Sequence, residues 1–219
     1  VVSLISYGDK PREIALSKEP SLRNQLLGAL ITTAGPTAII NAFLLTKLMS
    51  FLEPEPYPVL PDGLPSFLLK LLLMLILNDF LLYWGHRIQH EVEFLWQFHA
   101  VHHSYRTPQP LTAGNIHSID ATLQGGLPIV ITTIICKPHP WLLYVFIFLR
   151  VSENTINHCG SDSWLVAVLR GSWLPLRASV EHHDRHHYYC NHSKKATNYA
   201  ESFIVWDWMF GTLSQVKQR

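Results

Sequence analysis

The sequence predicts an all-α integral membrane protein, four membrane segments carrying a histidine-rich site for two metal ions at their cytosolic ends. Three observations predict it. Charged residues make up only 15% of the 219 positions, against about 25% in an ordinary soluble domain, and the mean hydropathy is positive. Apolar runs close to the length of a bilayer span recur along the chain. The 13 histidines collect almost entirely on one side of those runs.

The formal net charge of +1 offers nothing to a polyanion, which excludes nucleic acid as a partner class. Cys136, Cys159 and Cys190 are scattered without a CxxC pair and read as reduced, partly buried thiols. Starting at Val1, the chain reads as a piece of a longer product. Residues 1–24 are polar, with Lys10, Arg12, Lys18 and Arg23 and no apolar run, so no secretory leader is expected there. Residues 25–84 hold the first two membrane segments. The first runs from Leu26 to Leu45, with a kink expected at Gly35–Pro36; a proline-rich loop follows over 53–65. The second, Ser66–Gly85, is the most apolar stretch, has Lys70 placed to snorkel, and runs straight into His86. Residues 85–120 form the first part outside the membrane. Segments three and four, 121–136 and 141–157, flank KPHP and are short for spans, so they form either a full hairpin or a re-entrant one. Residues 158–219 complete a single domain.

With four crossings, residues 1–24, 85–120 and 158–219 share a face. That face gathers thirteen of the 17 Lys and Arg residues, against Lys47 and Lys137 on the other. The excess of basic residues puts this face in the cytosol. Among the histidines only His139 falls on the far side.

Spacing then sharpens the site. His86 and His90 (HRIQH) are i and i+4, one face of a helix extending segment two. His99, His102 and His103 (HAVHH) are i, i+3 and i+4, again one helical face, and His183, His186 and His187 (HDRHH) repeat the pattern. His158, in NHCG, adds a ninth ring at the exit of segment four. One such pair is commonly a satisfied core pair, but three one-sided clusters on one membrane face are not. Neutral imidazole suits iron, zinc, copper or nickel. Nine rings exceed the needs of one ion and suit a dinuclear centre.

These boxes resemble the HX3H, HX2HH and HX2HH motifs of the fatty-acid hydroxylase/sterol desaturase superfamily of membrane di-iron enzymes. The resemblance extends through HSYRTPQPLTAGNIHSID, NHCG and NYAESFIVWDWMFGT, covering about residues 66–213. It implies a four-helix membrane base with a cytosolic helical cap in the endoplasmic reticulum, two iron ions, O2, and electrons from NAD(P)H through an external carrier such as cytochrome b5. Zinc can replace iron during expression. Where ceramide fatty-acid hydroxylases carry one more histidine the chain has Asn154, and HSID stands where proline and glutamate are common. His117, His182 and Asn154 are therefore expected beside the metals rather than on them, with Asp79, Asp120 and Asp184 orienting ring nitrogens; Glu91 and Asp207 are further acceptors of that kind.

The chemistry implied is hydroxylation or oxidation of an unactivated C–H of a sterol-like or fatty-acyl lipid entering between segments two and four. The WDWMFGT tail leans toward C-4 methyl sterol oxidases. A desaturase of the same superfamily shares the boxes. A membrane zinc hydrolase would need a carboxylate base and the chain has no HExxH, while a metal transporter would carry its ligands inside the bilayer. With no dinucleotide or haem motif, the reductase must be separate; Arg185, Lys194 and Lys195 are the basic residues able to dock it. Oligomeric state is not legible.

Overall fold

The computed structural model describes residues 63–160, 163–190 and 196–214, with short pieces at 6–7, 10–11, 23, 27, 43–48 and 50–51. Segment one and the 53–65 loop thus lie largely outside the described residues, as do His192, Lys194 and Lys195. Their regular secondary structure is helical apart from two antiparallel two-residue strands, Ser6–Tyr7 and Lys10–Pro11, and an isolated bridge between Arg177 and Phe203.

The longest helix, α1 (Gly63–Glu91), joins segment two and the HRIQH box into one 29-residue rod, about 43 Å at 1.5 Å per residue. That exceeds a hydrocarbon core of about 30 Å, so the rod can carry its last turns beyond it. A seven-residue helix, α2 (Glu93–His99), follows at once. Segment three is α3, Ser118–Cys136, which contains a π-helical stretch over Ala121–Gly126. Segment four is α4, Pro140–Asn157, with proline at its first turn. The cap adds α5 (Trp164–Arg170), α6 (Val180–Tyr189) and α7 (Val205–Met209).

Among the described residues, α1 and α3 are long and apolar enough to cross a membrane. The 18-residue α4 carries Arg150 and Glu153. The far ends of the helices meet in an apolar cluster of Met74, Leu142, Leu143 and Phe146. Near the cap, α1 and α3 approach so closely that a β-carbon on Gly85 would sit 3.1 Å from the Leu123 carbonyl, which glycine alone accommodates without displacement. A second cluster docks the C-terminal part onto α1, with Tyr83 and Phe210 stacked at 5.3 Å and Tyr83 hydrogen-bonded to Thr212 at 2.8 Å.

One expectation about local structure fails. HAVHH does not occupy one helical face: α2 stops at His99, and His102 and His103 sit in a separate 3-10 turn, His102–Ser104.

Candidate metal centre

The eight box histidines and His158 are at most 6% exposed. Neutral imidazole tolerates such burial only with its polar atoms satisfied, and the arrangement of the rings shows what that requires. Five of them, His86, His90, His99, His103 and His186, offer nitrogens within 4.8 Å of one another; His102, His158, His183 and His187 form a second group with the same property. The two groups use each of the nine rings once. His102 and His103, adjacent in sequence, are divided between them, as are His186 and His187 on α6.

Hydrogen bonds at the opposite ring edge fix the orientation. The Nδ1 of His86 meets the Tyr199 carbonyl at 2.8 Å, that of His186 the Thr197 carbonyl at 2.6 Å, that of His187 the Tyr105 carbonyl at 3.1 Å and that of His158 the Asn154 carbonyl at 2.7 Å. The Nδ1 of His99 meets Asp120 Oδ2 at 3.0 Å. A carbonyl only accepts, so Nδ1 carries the proton and Nε2 keeps its lone pair facing inward. The Nε2 atoms of His86, His99 and His187 are buried with no hydrogen-bond partner. Those of His90 and His186 each lie 3.1 Å from His103 Nε2, and that of His158 lies 3.2 Å from His102 and 3.1 Å from His183. Metal–imidazole bonds of about 2.1 Å at right angles separate neighbouring nitrogens by about 3 Å, so the donor set fits two metal ions. Burial first, then the neighbouring rings, holds His102, His103, His183, His186 and His187 well below the usual imidazole value of 6.5, keeping them neutral as ligands must be.

The expected supporting residues divide. Asp120 reaches His99 as anticipated. Asn154 contributes its backbone carbonyl. His182 hydrogen-bonds Asp207 Oδ2 at 3.0 Å. Asp184 is buried on α6, where desolvation pushes its carboxyl well above the carboxylate range. Asp79 does not orient a ring: it accepts from the backbone N–H of Ser202 and Phe203 and from Trp206 Nε1, all at 2.9–3.0 Å. Its burial in the second half of a lipid-length helix is offset by three donors, two from the 197–203 stretch and one from α7. His117 is likewise a helix cap, its Nδ1 accepting from Ile119 N at 3.2 Å with its ring on Phe98. Glu91 pairs with Arg87 at the surface.

Sequence reasoning missed the chain stretch 197–203. Asp207 accepts from Tyr199 N and Ala200 N, both at 2.9 Å, while Asp79 holds Ser202 and Phe203. Between them the two carboxylates fix the segment whose Thr197 and Tyr199 carbonyls aim His186 and His86. Also missed was Glu153, which binds Arg150, Arg170, Arg177 and Ser202. Asp207, four residues past the 197–203 stretch in WDW, was the available signal for it.

A cleft of about 160 Å³ opens between α1, α3 and α4 and reaches the site at His102 and Asp120. Its walls include the apolar Leu82, Ala121, Gly125, Ile129 and Val151 together with the polar Asn78, Gln124, Arg150, Asn154 and Glu201.

Residues 71–212 match the family model described as fatty acid hydroxylase. Methylsterol monooxygenase 2-2 of Arabidopsis thaliana is 35% identical over 144 residues, 65% of this chain and 52% of the relative. Very-long-chain aldehyde decarbonylase GL1-8 of Oryza sativa subsp. japonica is 36% identical over 144 residues, 65% and 51%. Ornithine lipid hydroxylase OlsE of Rhizobium tropici is 30% identical over 155 residues, 69% and 44%. The chain thus spans about half the length of the curated relatives it matches. No solved structure matches it.

Proposed function

The chain belongs to the fatty acid hydroxylase family, and from that premise we propose a membrane di-iron oxygenase that oxidises an unactivated C–H bond of a sterol-like or fatty-acyl lipid. The observation that supports this reading is the meeting of two buried histidine groups with a cleft bounded by α4 and by the two membrane-length helices α1 and α3. His86, His90, His99, His103 and His186 hold one iron; His102, His158, His183 and His187 hold the other. When bound, the irons supply O2 activation and an oxidising power that side chains lack.

The rest is the work of the chain. Burial keeps the rings neutral, carbonyls and Asp120 hold the lone pairs of His86, His99, His158, His186 and His187 inward, and α1, α3 and α4 exclude water while guiding a lipid to His102. The names of the plant methylsterol monooxygenase and the bacterial lipid hydroxylase favour oxygen insertion over desaturation, and the former a sterol-like substrate. Electrons come from NAD(P)H through an external carrier such as cytochrome b5. Arg185 is paired with Glu181 at 2.8 Å, which makes it a weaker docking charge than its position suggested. We place the site on the cytosolic face of the endoplasmic reticulum, over a base of four membrane helices.

The test is metal content by mass spectrometry in mild detergent, for the wild type and for His186→Ala and His183→Ala. About two irons per chain are expected, with each variant losing chiefly one. Folded protein without bound metal overturns the proposal. Zinc-loaded protein is then reconstituted with iron and assayed with O2, reductant and sterol or fatty-acyl lipids; turnover without O2 overturns the oxygenase.

A further inference from the structure

The stretch 163–176, between α4 and the third histidine box, is built inside out for a water-facing cap. Trp164 is 76% exposed, Trp173 69% and Leu169 65%, and Leu165, Val168, Leu174 and Leu176 are exposed as well. In α5 the exposed apolar residues fall at 164, 165, 168 and 169, one helical face. Gly171 ends the helix in the left-handed region at φ 70°, and the chain turns so that Trp173 and Leu174 continue the apolar surface. Arg170 is the one charged residue of the stretch, and it points the other way: it is 3% exposed and bound to Glu153 of α4 and to the Glu201 carbonyl. Its burial fastens α5 to the top of α4 with the apolar face outward.

Apolar surface of this extent, with two tryptophans and no exposed charge, is rare on water-facing protein. It continues the exposed apolar side of α4, where Phe148 is 69% and Val151 59% exposed. From that continuity we propose that residues 163–176 form an interfacial element embedded in the headgroup and upper acyl layer of the membrane on the histidine side. Tryptophan suits that depth because its ring is apolar and its N–H wants a polar neighbour. A helix lying in the interface needs one apolar face and an opposite face satisfied by polar contacts, and here Arg170 and its partners supply the second. This placement rests on the membrane reading of α1 and α3. It seats the cap on the lipid surface beside α4, so a lipid reaching the cleft need not cross water.

The experiment is photolabelling of the intact protein in phosphatidylcholine vesicles, with adducts mapped by mass spectrometry. One phospholipid probe carries a diazirine near the glycerol, the other at the acyl terminus. The expected result is labelling of 163–176 by the glycerol-proximal probe at least severalfold above the terminal probe, with Leu68–Leu73 of α1 labelled as the membrane control. Labelled α1 beside unlabelled 163–176 overturns the interfacial placement alone. Absence of label on both overturns it together with the membrane reading. In a parallel sample with photo-leucine incorporated in place of leucine, cross-links between 163–176 of two chains, without lipid adducts in the first experiment, assign the face to a second copy and also overturn the placement.

Discussion

A single hydrogen bond of 3.0 Å joins His99 to Asp120, so that a side-chain carboxylate directly aims a ring of the five-histidine group. A carboxylate there fixes the tautomer and makes the imidazole a stronger donor. Asp120→Ala should weaken the five-histidine site about 10- to 100-fold in metal affinity, read by competition with a chelator, while the four-histidine site keeps its metal. The boxes themselves were legible because i, i+3 and i+4 spacing converts to a shared face wherever a helix forms, as it does for His86 and His90 on α1 and for the three rings of α6. Their orienting partners were not legible. A carbonyl belongs to every residue type, so nothing about Tyr105, Thr197 or Tyr199 as letters announces that these backbones hold His187, His186 and His86. Asp79 shows the same limit: its need for partners was readable, but not that they lie 123 to 127 residues away in the chain.

Elements carry the next layer. Glu153 gathers Arg150 of its own helix, Arg170 of α5 and Arg177 beyond it, and so ties the top of α4 to the cap. Removing a buried charge from such a cluster leaves its partners uncompensated, so Glu153→Gln should cost about 3 kcal/mol or more, measured as a lowered thermal midpoint in detergent. Gly125, in the π-helical stretch of α3, lines the cleft, and a β-carbon there meets nothing within 4 Å. Gly125→Phe should therefore fill the passage without straining the helices. Turnover of lipid is expected to fall roughly tenfold or more at unchanged metal content. Equal turnover would remove the cleft from the substrate path. The helices α1, α3 and α4 were visible as apolar segments, yet their ends were not: α3 begins at Ser118 rather than 121, since His117 caps it. The break after His99 was hidden because HAVHH has helical spacing, and that spacing is equally compatible with a 3-10 turn.

At the scale of the whole molecule, neutral buried histidines make stability depend on pH. With metal removed, His102, His103, His183, His186 and His187 keep proton affinities below the ordinary 6.5. As pH falls through about 6.5, the unfolded chain takes up protons that the folded chain refuses, so folded stability declines with acidification. Above that value both states are uncharged at these rings and the dependence vanishes. Thermal midpoints of chelator-treated protein from pH 8 to pH 5 should be flat at first and then fall. A profile flat throughout would mean that the empty site opens and hydrates. The membrane architecture was legible in outline from composition and apolar length, whereas the inverted surface of α5 was not, because Trp, Leu and Val in a short helix read equally well as core.

The backbone anchoring of the rings has a consequence for how the protein tolerates change. Side chains at Tyr105 and Thr197 can be exchanged without disturbing the ring nitrogens their carbonyls hold, provided the peptide planes stay put. What the centre depends on at those positions is the path of the main chain, which Asp79 and Asp207 pin from either side of 197–203. An engineer who wishes to retune the centre should therefore alter the two pins before the residues whose carbonyls touch the rings.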